Sequence, residues 1–115
     1  MIISAATVLI DQELQKEVWL EIEDGLIRSI NSGTAPEYDL RYEGILIPGF
    51  VDIHCHGGGG KYFASLTDSE IAQVIATHRA GGTVAGLASL VTEPIPNLIS
   101  QIKRLVPFAQ RGEIA

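Results

Sequence analysis

The spacing of apolar residues changes character part-way along this chain. Residues 2–10 are an almost unbroken apolar run and read as a strand. Val18, Leu20 and Ile22 then alternate with Trp19, Glu21 and Glu23, and Asp24-Gly25 offers a tight turn before a second run over 26–30. That pattern predicts a hairpin over 18–30, with one buried face and one wet face, within a small antiparallel region. Residues 31–36 are a loop by composition. The apolar run Gly44-Ile45-Leu46-Ile47 leads into a short strand that ends at His54 and His56.

Beyond the glycines at 57, 58, 59 and 60 the period lengthens. Thr67, with Glu70 following at the capping-box spacing, marks a helix start. Ile71, Val74, Ile75 and His78 fall on one helical stripe, which Gly81-Gly82 ends. Residues 83–91 predict a buried strand. Pro94 and Pro96 mark the next helix, with Leu98, Ile99, Ile102, Leu105, Val106 and Ala109 as its apolar stripe and Pro107 expected to kink or end it. Glu113-Ile114-Ala115 looks like the opening of a further strand. The fold class is therefore α/β, a small β region followed by β-α-β-α on a parallel sheet. Two βα units cannot close a barrel and would leave their edges unpaired, so a truncated structure is expected.

With 115 residues and 46% apolar content, the chain can bury one modest core. A net charge of −6 and no basic run longer than Lys103-Arg104 argue against a nucleic-acid or anionic-membrane partner. The start lacks a basic leader, no apolar stretch is long enough for a bilayer, and a single cysteine cannot form an internal disulfide. Together these point to the cytoplasm.

The chemistry concentrates in residues 48–60, Pro-Gly-Phe-Val-Asp-Ile-His-Cys-His-Gly-Gly-Gly-Gly. In a strand, His54 and His56 project from one face with Cα atoms about 6.5–7 Å apart, close enough to converge on one metal ion. Neutral imidazole suits Zn²⁺ or Fe²⁺. An isolated His-x-His is more often structural. Here it ends an apolar strand and precedes a glycine loop, which is where parallel α/β folds hold their sites. Gly57, Gly58, Gly59 and Gly60 carry no side chains and so leave room for a substrate. Phosphate binding by their N–H groups is a weaker alternative, because residues 61–66 separate them from the helix.

Residues 48–60, with Ile22-Glu23-Asp24-Gly25-Leu26-Ile27 upstream, resemble the amidohydrolase superfamily of metal-dependent (β/α)8 barrels. The run His56-Gly57-Gly58-Gly59-Gly60 is similar to its N-acetylglucosamine-6-phosphate deacetylase family. So is His78-Arg79-Ala80-Gly81-Gly82-Thr83, leading to Leu87-Ala88-Ser89-Leu90-Val91-Thr92. The resemblance implies that residues 1–45 are part of a small β-sandwich and 46–115 the first two βα units of a TIM-like barrel. It implies removal of acetate from N-acetylglucosamine 6-phosphate, in amino-sugar catabolism, by a full-length homodimer. One or two divalent metals per site, zinc or iron, would have His54 and His56 among their ligands. Some members carry Gln and Asn at these positions, whereas both histidines are present here. The family's catalytic Asp, a metal-binding Glu and its phosphate contacts fall beyond residue 115. No catalytic residue is therefore assigned, and the chain alone is expected to be inactive. A cyclic-amide hydrolase of the same superfamily, and a non-catalytic remnant serving as an interaction module, are the alternatives.

Four neighbours receive plainer expectations. Asp52 shares the face of the histidines by the two-residue rule and is a candidate to orient a ligand, although an ordinary hydrogen-bonded carboxylate is the commoner role. Cys55 alternates to the opposite face as a small buried hydrophobe. His78 packs near a helix carboxyl end. Lys61 is solvated or meets an anion.

Overall fold

Alternation in the first part of the chain builds a sheet of four strands, β1 (Ile2–Ile10), β2 (Glu13–Glu23), β3 (Leu26–Ser32) and β4 (Leu40–Leu46), in the order β3-β2-β1-β4. This computed structural model describes residues 1–65 and 67–115 and divides into two units, Met1–Pro48 and Gly49–Ala115. The β2–β3 turn is the expected one, with positive φ at both Asp24 and Gly25. The β1–β2 turn uses Asp11 and Gln12 at φ 49° and 70°, without the glycine that would have signalled it. The sheet is not wholly antiparallel. Residues 33–39 carry the chain back so that β4 runs parallel to β1, with Ile3 opposite Leu40. The Asp39 carboxylate accepts the Ile2 N–H at 2.6 Å and pins that return.

The apolar run at 44–47 does not lead into the histidine strand, as its hydrophobicity suggested. It closes β4 in the first unit, and Pro48, which has no N–H to offer a ladder, separates it from β5 (Phe50–Cys55). Ala5, Val8 and Val18 form the buried centre of this unit, with Ile10 and Leu46 against it. Buried Ser4 accepts from Arg41 Nη1 at 3.0 Å, and the same guanidinium holds Glu17 and Glu43. Within Met1–Pro48 the four strands form a single sheet.

In the second unit, β5 pairs in parallel with β8 (Thr83–Ala88). Between them in sequence lie a short hairpin, β6 (Gly57–Gly58) and β7 (Lys61–Tyr62), and helix α1 (Asp68–Ala80); helix α2 (Ile95–Gln110) follows. Cys55, Phe63, Ile71, Val74, Ile75, Leu105, Phe108 and Ile114 form the core. The Thr67 hydroxyl caps α1 through the Glu70 N–H at 3.4 Å. Glu70 does not return the favour; its carboxylate takes Lys61 Nζ at 2.7 Å instead.

Helix α2 departs from expectation twice. Pro107 does not end it, because only one amide bond is lost a turn from the carboxyl end, where the Arg111 N–H closes on the Pro107 carbonyl. The buried face is Leu105 and Phe108, while Ile99, Ile102 and Val106 stay outside. Apolar residues occupy two faces of this helix, and only one meets the core. β8 also stops at Ala88, short of residue 91, and no strand forms at 113–115, although the Ala115 N–H donates to the Gly86 carbonyl of β8 at 2.8 Å.

Candidate metal centre

The carboxyl end of β5 delivers both imidazoles to one place. His56 Nδ1 lies 3.1 Å from the carbonyl oxygen of Ser89. A carbonyl can only accept, so Nδ1 carries the hydrogen and Nε2 keeps its lone pair. That lone pair faces His54 Nε2 at 3.1 Å, with the ring centroids 4.8 Å apart and the planes at 82°. An ion about 2.1 Å from each nitrogen would see them roughly 95° apart, between the octahedral and tetrahedral angles. The donor set thus fits a divalent metal. Anchoring the remote ring nitrogen of a ligand histidine on a backbone carbonyl is the usual way such sites are oriented. To offer its own Nε2 lone pair to an ion beside that of His56, His54 would carry its hydrogen on Nδ1.

Ser89 enters this site through its backbone, and its N–H also donates to the Cys55 carbonyl at 2.8 Å. No side-chain pattern announces such a carbonyl; only the parallel pairing of β5 with β8 brings it there. A cleft of about 320 Å³ opens beside His56, lined by Tyr62, Ala64, Ser65, Ser89 and Val91.

Asp52 is arranged differently from the two-residue rule. The ladder to β8 slips between Asp52 and Cys55, which breaks strict alternation. Its carboxylate accepts the backbone N–H of His54 at 3.0 Å and gathers with Cys55 and His78, their ligand atoms all within 4.8 Å of one another. Cys55 is buried in the core towards α1, as alternation predicted.

The glycines have a packing reason of their own. A Cβ at Gly57 would lie 2.1 Å from the Lys61 carbonyl oxygen, at Gly58 2.8 Å from His78 Nε2, and at Gly59 2.6 Å from Thr77 Oγ1. Gly59 and Gly60 also adopt φ of 61° and 77°. The loop is folded down on α1, and Gln73 Nε2 donates to the Gly59 carbonyl at 3.0 Å. Lys61 is engaged rather than free: its ammonium, together with the Thr67 hydroxyl, holds the Glu70 carboxyl below its usual value.

No protein-family model matches the chain. An N-acetylgalactosamine-6-phosphate deacetylase of Shewanella sp. (strain ANA-3) is 31% identical over 103 residues, covering 83% of this chain and 26% of that protein. The crystal structure of N-acetyl-D-glucosamine-6-phosphate deacetylase from Mycobacterium smegmatis matches 99% of this chain at 39% identity and a TM-score of 0.89. Both of these relatives are amino-sugar-phosphate deacetylases. A variant of the Mycobacterium smegmatis protein in complex with N-acetyl-D-glucosamine-6-phosphate matches equally closely, with a TM-score of 0.88. The chain spans 26% of the length of the Shewanella relative and 33% of the Mycobacterium chain. Among the described residues, no helix is long and apolar enough to cross a membrane.

Proposed function

We propose that this chain is the amino-terminal part of a metal-dependent deacetylase that removes acetate from an N-acetylhexosamine 6-phosphate. The observation that carries the reading is the convergence of His54 Nε2 and His56 Nε2 at 3.1 Å, with His56 oriented by the Ser89 carbonyl. The 39% identity to a structure of that activity supports it. In this reading β5 and β8 are the first two staves of a (β/α)8 barrel, and the sheet of the first unit is one layer of a small flanking domain. His54 and His56 hold a zinc or iron ion, one of one or two in the complete site. Such an ion, when bound, supplies Lewis acidity towards the amide carbonyl and lowers the pKa of water.

The residues of this chain have limited tasks. His54 and His56 present two neutral nitrogens, Ser89 fixes the tautomer of one, and Asp52 holds the backbone of the other. Gly57, Gly58, Gly59 and Gly60 follow His56 directly and add no side chains there, and the cleft beside His56 is the space this reading assigns to the sugar phosphate. The carboxylate that moves the proton, and the phosphate contacts, come from outside residues 1–115, so the chain alone is inactive. The complete enzyme works in the cytoplasm as a homodimer.

The test is a chimera in which residues 1–115 replace the matching third of the Mycobacterium smegmatis enzyme. Acetate release from N-acetylglucosamine or N-acetylgalactosamine 6-phosphate is expected. The pair His54→Gln and His56→Asn should remove one equivalent of bound metal per site. A folded chimera that releases no acetate from either sugar refutes the substrate reading. Metal content unchanged by the double substitution takes the histidines out of the site.

A further inference from the structure

We propose that Asp52, Cys55 and His78 form a second divalent-cation site, with zinc as its natural occupant, on the side of β5 that faces α1. It uses neither His54 nor His56 and stands whether or not the deacetylase reading does. Cys55 Sγ lies 3.1 Å from His78 Nε2, and a carboxylate oxygen of Asp52 is within 4.8 Å of both. Bonds of about 2.3 Å to sulfur and 2.05 Å to nitrogen would place these two atoms roughly 90° apart at an ion, a small opening short of tetrahedral. The Gly57 carbonyl oxygen supplies a fourth donor, 3.1 Å from His78 Nε2 and 3.4 Å from Cys55 Sγ.

A cavity of about 30 Å³ is lined by Asp52, Cys55, His78 and Glu113 among others. That is room for one water-sized occupant. Thiolate, imidazole and carboxylate together are the donor set of zinc rather than of magnesium or calcium. His78 Nε2 and the Cys55 thiol both donate to the Gly57 carbonyl. Binding therefore releases the thiol proton to solvent and moves the His78 proton from Nε2 to Nδ1, freeing the carbonyl to face the ion. The ion would tie the strand, the glycine hairpin and α1 at one point.

Cysteine alone, read from the sequence, carries no ligand role; it is the approach of α1 that supplies His78. The test is Co²⁺ titration of the 115-residue chain, followed by the near-ultraviolet thiolate-to-cobalt charge-transfer band. The band is expected in the unsubstituted chain and unchanged in His54→Gln/His56→Asn. It should be absent in Cys55→Ser, and His78→Gln or Asp52→Asn should weaken binding about tenfold or more. Zn²⁺ should also slow reaction of Cys55 with a disulfide reagent about tenfold or more at saturation. A folded chain with no band and no slowing overturns the site, and so does a band indifferent to both His78 and Asp52. Loss of the band in His54→Gln/His56→Asn assigns the cobalt to the other histidines and overturns it equally.

Discussion

Gly57 and Gly60 are glycines for different reasons, and substitution separates them. At Gly57 a methyl group would sit 2.1 Å from the Lys61 carbonyl, a backbone atom that cannot turn aside. Gly57→Ala should break the β6–β7 hairpin and cost about 3 kcal/mol or more, beyond the usual range for overpacking. At Gly60 nothing lies within 4 Å, and only the φ of 77° opposes a side chain. Gly60→Ala should cost about 1–2 kcal/mol, the left-handed penalty alone. Urea midpoints of the two variants check this order; equal losses would mean that the hairpin is not held against its own backbone as described. The glycine run was legible in the sequence, but the packing part of its reason was not, because the partner atoms belong to Lys61, Thr77 and His78. Likewise the His54–His56 pair was readable from a two-residue spacing. The Ser89 carbonyl that orients it was not, since every residue has a carbonyl.

Helix α1 shows how an element depends on its first turn. Thr67→Ala removes the hydroxyl that caps Glu70 and should cost about 1 kcal/mol by thermal unfolding. The paired charge sets a pH dependence. The Lys61 ammonium, followed by the Thr67 hydroxyl, holds the folded Glu70 carboxyl below its usual 4.5. A depressed folded value contributes stability above 4.5 that is lost as pH falls through the folded pKa. The unfolding midpoint should therefore drop on acidification below about pH 4.5, and Lys61→Met should flatten that part of the profile; an unchanged slope would mean that the pair is too solvated to matter. The start of this helix was legible because capping chemistry is local. The working face of α2 was not: its apolar residues wrap more than one face, and only the tertiary partner selects Leu105 and Phe108.

At the scale of the molecule, the apolar surface is the feature that most needs a partner. Val51 and Ile53 on β5, Val84 on β8 and Ile95 on α2 are 67, 73, 70 and 71% exposed. A run of such residues on one unit is more than single scattered exposures and marks an interface. The strand-helix alternation told the class of this unit correctly, but which faces lie open follows only from which neighbours are present. If the unit is two staves of a barrel, its faces are interior surfaces, and the 115-residue chain should self-associate and bind a hydrophobic dye. Ile95→Lys with Ile99→Glu should then shift light scattering towards monomer, because the substituted positions are solvent-facing in the isolated chain and cost it little. In the chimera with the Mycobacterium smegmatis enzyme the same pair should have the opposite sign. There the α2 stripe would be covered, and charged groups driven into it should cost several kcal/mol and lower the melting temperature. Opposite effects in the two settings can arise only if the stripe is buried by the rest of a larger fold. A dye-silent monomer whose stability is equally indifferent in both would show these surfaces to be ordinary exterior, and the barrel proposal would lose its main physical support.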